Sequence, residues 1–140
     1  MRAKTEFIIQ TNGAGLYEFT DLISDWVSKT KLRDGLLTLF IRHTSCSLII
    51  QENADPSVQT DLQAYFHRLV PPSTDPKMNY LIHTQEGPDD MPAHIKAAMM
   101  PVSLSIPISD GQMVLGTWQG VYVFEHRTRA HSRRISAHLS

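Results

Sequence analysis

The chain has a single cysteine, Cys46, among 140 residues. No intrachain disulfide can close, and no zinc site can be assembled from paired thiolates. No stretch approaches the ~18 consecutive apolar residues of a membrane-spanning helix. The segment Met1 to Gln10 holds one short apolar patch and no signal-peptide core. A cytoplasmic protein with no membrane partner is expected. Charge of one sign is also missing: 13 Lys and Arg against 14 Asp and Glu leave a net charge of −1. That is too weak a field to recruit nucleic acid, so no nucleic-acid partner is expected. Arg127, Arg129, Arg133 and Arg134 form the local exception and read as a solvated face or an interface. No glycine fingerprint follows an expected strand, which argues against a dinucleotide or P-loop enzyme. Internal repeats, low-complexity tracts and long linkers are absent as well, so residues 1–140 read as one domain.

Hydrophobic periodicity supplies the elements that are there. Thr5 to Gln10 reads as a strand closed by the Asn12-Gly13 turn. Leu16, Phe19, Leu22, Ile23, Trp26 and Val27 follow helical spacing, and Asp34-Gly35 stops that helix. Leu36 to Ile41 and Ser47 to Gln51 read as strands. Asp55-Pro56, an N-cap followed by proline, opens a helix marked by Val58, Leu62, Tyr65, Phe66 and Leu69 that ends before Pro71-Pro72. Tyr80 to Thr84 is expected as a short strand and Met91 to Met100 as a short helix behind Asp89-Asp90. Leu104 to Ile108, Gln112 to Leu115 and Val121 to Arg127 complete the strands. The implied class is α+β: a single compact domain, with a mixed or antiparallel sheet packed against two or three helices.

Seven histidines are many for this length. His43, His83, His94 and His126 each end an expected element beside other polar residues, whereas His67, His131 and His138 read as ordinary surface positions. Imidazole ligates transition metals and also works as an acid or base near neutral pH. In an extended chain His43 and Ser45 share one face and Cys46 takes the other, so Cys46 reads as a small buried residue. Thr44 and Ser45 offer hydroxyls for phosphate or substrate. Asp55 is explained by its capping role, and Asp61 sits at the edge of an apolar helical stripe. His83 to Lys96 is the densest polar stretch: His83, Glu86, Gly87, Asp89, Asp90, His94 and Lys96. His94 follows Asp90 by four residues and so shares its helix face. Trp118-Gln119 lies between Gly116 and Gly120, as a ligand-approaching loop or a tight hairpin would. Glu125 and Arg127 then share a strand face opposite His126.

His43-Thr44-Ser45, Glu52-Asn53-Ala54-Asp55-Pro56, the run from Gly87 to Lys96, Gly116 to Gly120 and Glu125-His126-Arg127 together resemble the YjbQ-like family, in its order and over essentially the whole chain. The family is described as secondary thiamine-phosphate synthase enzymes. The resemblance implies a compact α+β homotrimer with its polar residues gathered near the subunit interface. It implies a metal-assisted enzyme that couples a pyrimidine diphosphate to a thiazole phosphate and releases pyrophosphate. A metal-dependent phosphatase or hydrolase, or a non-catalytic metabolite- or metal-binding protein, are the alternatives. Carried over residue by residue, His43, Glu52 and Asp61 are the expected catalytic groups, His43 as general acid or base oriented by Glu52 or Asp61. Thr44, Ser45, Asn53, Asp89, Asp90, Lys96, Trp118, Gln119 and Arg127 would contact the small phosphorylated molecule. His83, His94 and His126 are the expected ligands of a divalent metal, zinc, or magnesium if Asp89 and Asp90 hold it instead. The chain departs from the family where Ala130-His131, in place of a glycine, precedes Arg133-Arg134.

Overall fold

The structure is a computed structural model that describes residues 2–140. Its strands are β1 (Ala3–Asn12), β2 (Gly15–Glu18), β3 (Gly35–Ile41), β4 (Cys46–Glu52), β5 (Ser103–Ser109), β6 (Gln112–Met113), β7 (Gln119–Glu125) and β8 (Ala130–Leu139). Its helices are α1 (Thr20–Thr30), α2 (Pro56–Leu69) and α3 (Asp90–Met99), with one 3₁₀ turn at Pro76–Met78. Two antiparallel sheets form, one of five strands ordered β1-β8-β3-β5-β6 and one of three ordered β2-β7-β4. The α+β class holds, and every ladder is antiparallel.

Alternation along the strands explains where the core lies. Leu37, Leu39 and Ile41 of β3 point inward, as do Ile106 and Ile108 of β5 and Ile135, Ala137 and Leu139 of β8. They meet Cys46 and Leu48 of β4, Val121 and Val123 of β7, and Ile23 and Val27 of α1 in one cluster. Each fully buried aliphatic side chain in that cluster contributes about 1.5–3 kcal/mol. Burial pushes the Cys46 thiol up to about 12, so it is a packing residue and no nucleophile. Asp55 caps α2 by accepting from the Ser57 amide at 2.9 Å, with Pro56 the first helical residue.

Four local readings change. Leu16 belongs to β2, where it pairs with Phe124, because a sheet edge takes that segment before the helix begins at Thr20. Tyr80 to Thr84 is not a strand: among the described residues no strand pairs with it, and Ile82 stands 95% exposed. The strand expected over Gln112 to Leu115 shrinks to Gln112–Met113. The C-terminal segment carrying Arg133, Arg134 and His138 is a ten-residue strand wedged between β1 and β3. Its inward row opens with a charge, Arg133, which hides the alternation.

Candidate functional site

The loop from Tyr80 to Asp89 and the start of α3 bring three expected site residues together. His83, Asp90 and His94 place one ligand atom each within 4.8 Å of one another. His83 Nε2 lies 3.0 Å and Glu86 Oε2 3.7 Å apart from their nearest partners in this group, Asp90 Oδ2 and His83 Nε2 respectively. His94 Nε2 faces Asp90 Oδ1 at 3.4 Å, the one-turn spacing that the sequence indicated. On the other side of its ring, His94 Nδ1 lies 2.8 Å from the Thr44 carbonyl oxygen. A carbonyl can only accept, so that nitrogen carries the proton, and in the neutral ring Nε2 presents its lone pair to Asp90.

Arg127 fixes the carboxylates. Its Nε donates to Asp89 Oδ2 at 2.8 Å, its Nη1 to Asp90 Oδ1 at 2.8 Å and its Nη2 to the Glu86 carbonyl at 3.0 Å. Asp89 also accepts from the Thr128 amide. Burial opposes ionisation of Asp89, but Arg127 and the Thr128 amide outweigh it and hold the carboxyl at about 2. Burial likewise opposes ionisation of Asp90, which hydrogen bonding and the nearby positive charge keep below the usual carboxylate range. With its guanidinium so engaged, Arg127 orients the cluster.

Beneath this lies a buried pair, Glu125 and Arg133, of which the sequence singled out Glu125 alone. Arg133 is 4% exposed and forks onto Glu125, which is fully buried. Glu125 also accepts from Thr11 Oγ1 at 2.6 Å and from the Arg127 amide at 3.1 Å. Burial opposes its ionisation, and Arg133 and Thr11 lower its pKa in spite of it. Arg133 further donates to Ser45 Oγ at 3.0 Å, so that hydroxyl faces a structural arginine. The pair pins the end of β7, from which His126 and Arg127 project.

The remaining expected residues divide between places. His43 Nε2 accepts from the Arg134 amide at 2.8 Å, and burial followed by Arg133 lowers its pKa. Glu52 accepts from the Asp55 amide, and Asn53 donates to Glu18. Gln119 accepts from the Gly116 amide, and Trp118 is 62% exposed. Cys46 pairs with Glu125 and Glu52 with Gln119, at opposite ends of the three-stranded sheet. Six residue steps at about 3.3 Å separate these ends by roughly 20 Å. Within one chain, Glu52 therefore cannot orient His43. Asp61 is exposed on α2.

His126 is not in the His83–Asp90–His94 cluster. It is 3% exposed, its Nε2 lies 2.9 Å from Ser47 Oγ, and its Nδ1 is buried without a partner. Burial first, then the Lys96 charge, push its pKa down to about 3. Lys96 is half-buried, and its pKa falls through burial, partly offset by Asp89. Both line a cleft of about 310 Å³ between α2, α3 and β7. A larger concavity, about 870 Å³, lies along Arg2–Thr5, Thr38 and Phe40 and contains none of the expected site residues.

Comparisons with known proteins agree over nearly the whole chain. The family model described as UPF0047 protein YjbQ-like matches residues 5–140. A UPF0047 protein of Synechocystis sp. is 49% identical over 95% of this chain and 88% of its own. The UPF0047 protein YjbQ of Escherichia coli O157:H7 is 40% identical over 94% of this chain and 92% of its own. The crystal structure of an uncharacterized conserved protein of the yjbq/upf0047 family from Clostridium acetobutylicum superimposes with a TM-score of 0.84 at 31% identity, covering 97% of this chain and 99% of that one.

Proposed function

The chain belongs to the YjbQ-like UPF0047 family, and from its own residues we propose that it is a metal-assisted enzyme acting on a small phosphorylated molecule. The observation that carries the reading is the bond from His94 Nδ1 to the Thr44 carbonyl, which leaves Nε2 as the ring nitrogen facing Asp90. Metal-ligating histidines are oriented by this kind of outer contact. Beside the His83 ring and a carboxylate kept ionised by Arg127, the donor set is two imidazoles and one aspartate. That set fits zinc or another transition ion better than magnesium, which prefers an all-oxygen shell. His83, Asp90 and His94 would hold the ion, with Arg127 and Thr44 as their supports. Three protein ligands leave a position for substrate, and the ion would supply Lewis-acid charge at a phosphoryl oxygen. Glu86 is exposed beside His83 and is placed to exchange a proton with water or substrate.

Two finer points belong to the same proposal. Thiamine-phosphate coupling is the reaction that the family resemblance implies, and phosphate-ester hydrolysis is its rival on the same site. A homotrimer would let the Glu52, Asn53, Trp118 and Gln119 end of one copy approach the His43 end of another, which a single chain holds roughly 20 Å apart. Light scattering should then give about three times the 15.8 kDa chain mass; a monomer mass refutes the trimer.

The test is elemental analysis before and after chelation, on wild type, His83→Ala and His94→Ala, with phosphate and pyrophosphate release measured in parallel. One transition ion per chain, lost in both variants together with turnover, is the expected result. Unchanged metal content in both variants overturns the ligand set. Bound metal without turnover on any phosphate ester or on the pyrimidine and thiazole pair favours a binding protein. That second reading draws support from His43, the expected acid or base, being engaged by the Arg134 amide.

A further inference from the structure

Lys96 is a half-buried cation that takes part in none of the ion pairs among the described residues. Asp89 is the one acid whose charge reaches it, and that carboxylate already accepts from Arg127 and the Thr128 amide. Glu125, also in the cleft wall, is held by Arg133 and Thr11. The His126 ring lines the same cleft, and its Nδ1 has no partner among the described residues although His126 is 3% exposed. Buried polar atoms in folded proteins are nearly always paired, so an orphan in a cleft wall calls for an account. Ser47 Oγ lies 2.9 Å from Nε2 and can either donate or accept there; in the tautomer where it donates, the neutral ring carries its proton on Nδ1 and offers a donor. Gln63 and His67 add polar groups to the rim. Phe66 and Phe124, edge to face at 5.8 Å, supply an apolar wall, and Phe124 lies 4.7 Å from the His126 ring.

Chain geometry separates this cleft from the histidine–aspartate cluster. Lys96 follows His94 by two residues, which turns it about 200° around the helix axis. Beyond the end of β7, His126 lines the cleft, whereas Arg127, in the bend that follows, donates to Asp89 and Asp90. One helix and one strand end therefore each serve both places, with alternate residues.

We propose that the cleft is a second ligand site, which takes the tetrahedral oxyanion of a phosphate monoester or of free phosphate on Lys96 and His126. Phe66 and Phe124 pack against the organic body where there is one. Lys96 supplies the charge and His126 a neutral donor, and no metal is needed. The site stands whether or not His83, Asp90 and His94 hold an ion.

The experiment is titration calorimetry on the full-length, chelator-treated protein with two probes, inorganic phosphate and phenyl phosphate, for wild type and Lys96→Met. The expected result is saturable binding of at least one probe, weakened tenfold or more in Lys96→Met, with that variant's metal content unchanged. Phenyl phosphate binding more tightly than phosphate, and competing with it, identifies an organic monoester as the ligand. Equal affinities with competition identify free phosphate. A second readout does not depend on any variant folding: nitrogen-15 NMR of the His126 ring should show the Nδ1 signal moving as either probe is added to wild type. No binding of either probe, binding that Lys96→Met leaves unchanged, or a His126 ring signal that does not move overturns the proposal.

Discussion

His126 gives a sharp handle on stability. Burial and the Lys96 charge lower its pKa from 6.5 to about 3 in the folded chain. In the unfolded chain the same ring regains its ordinary value. Above pH 6.5 both states hold it neutral, and the group favours neither. As pH falls below 6.5 the unfolded state takes a proton that the folded state refuses, so stability is lost down to the folded pKa near 3. The slope is about 1.4 kcal/mol per pH unit, which comes to roughly 3 kcal/mol at about pH 4.5. That is a large share of a domain's total of about 5–15 kcal/mol. Carboxylates with lowered pKa values, Asp89, Asp90 and Glu125, also withdraw stability in acid, but their loss starts near the ordinary carboxyl range of about 4. His43, whose pKa is also lowered, loses stability in the same window as His126. A difference between two proteins removes both contributions.

The perturbation is therefore His126→Gln, an amide that does not titrate and can still meet Ser47 Oγ. Urea unfolding of chelated wild type and variant, in phosphate-free buffers from about pH 7.5 to 4.5, is followed by tryptophan fluorescence, since Trp26 packs against the core. Wild type should lose about 2–3 kcal/mol more than the variant across that range, and the curves should converge toward the acid end. Parallel pH profiles would refute the argument, because they would mean that the folded chain protonates His126 as readily as the unfolded one does.

Two further outcomes follow from the buried charges. Arg133→Met leaves Glu125 ionised and fully buried without its partner, and should cost about 3–5 kcal/mol by urea unfolding. The double change Glu125→Leu with Arg133→Met should recover most of that, and a single variant within about 1 kcal/mol of wild type would show the pair to be unimportant. Arg127→Lys keeps the charge but cannot reach Asp89, Asp90 and the Glu86 carbonyl at once. Metal affinity measured against a competing chelator should fall about 10–100-fold, and an unchanged affinity would remove Arg127 from the support of the cluster.

How much of this the sequence could carry depended on distance along the chain. The His94–Asp90 contact is one helical turn, and both residues stood out from their spacing. His83 joins them across seven residues through a loop closed by Gly87, whose φ of +111° suits glycine. The α2 cap was legible for the same local reason. What failed was long-range. The bonds joining Thr11 to Glu125 and Arg133 to Ser45 span 114 and 88 residues, and no periodicity links such partners. Arg133, Ile135, Ala137 and Leu139 do alternate with exposed or half-buried neighbours. Because an arginine opens that inward row, Arg133 and Arg134 read as part of a solvated face or an interface, when the segment is the strand between β1 and β3.

That miss has a consequence for the chemistry. Without β8 in place, Glu125, His126 and Arg127 look like three polar residues delivered to one pocket. With Arg133 inserted beneath them, the strand end becomes a rigid branch point. Glu125 is held down by the buried pair, His126 turns to the Lys96 cleft, and Arg127 turns to Asp89 and Asp90. Three consecutive side chains thus serve anchorage, a neutral donor and carboxylate orientation. A change at Arg133 should therefore disturb both the cluster and the cleft, although it touches neither the His83, Asp90 and His94 ligand atoms nor Lys96.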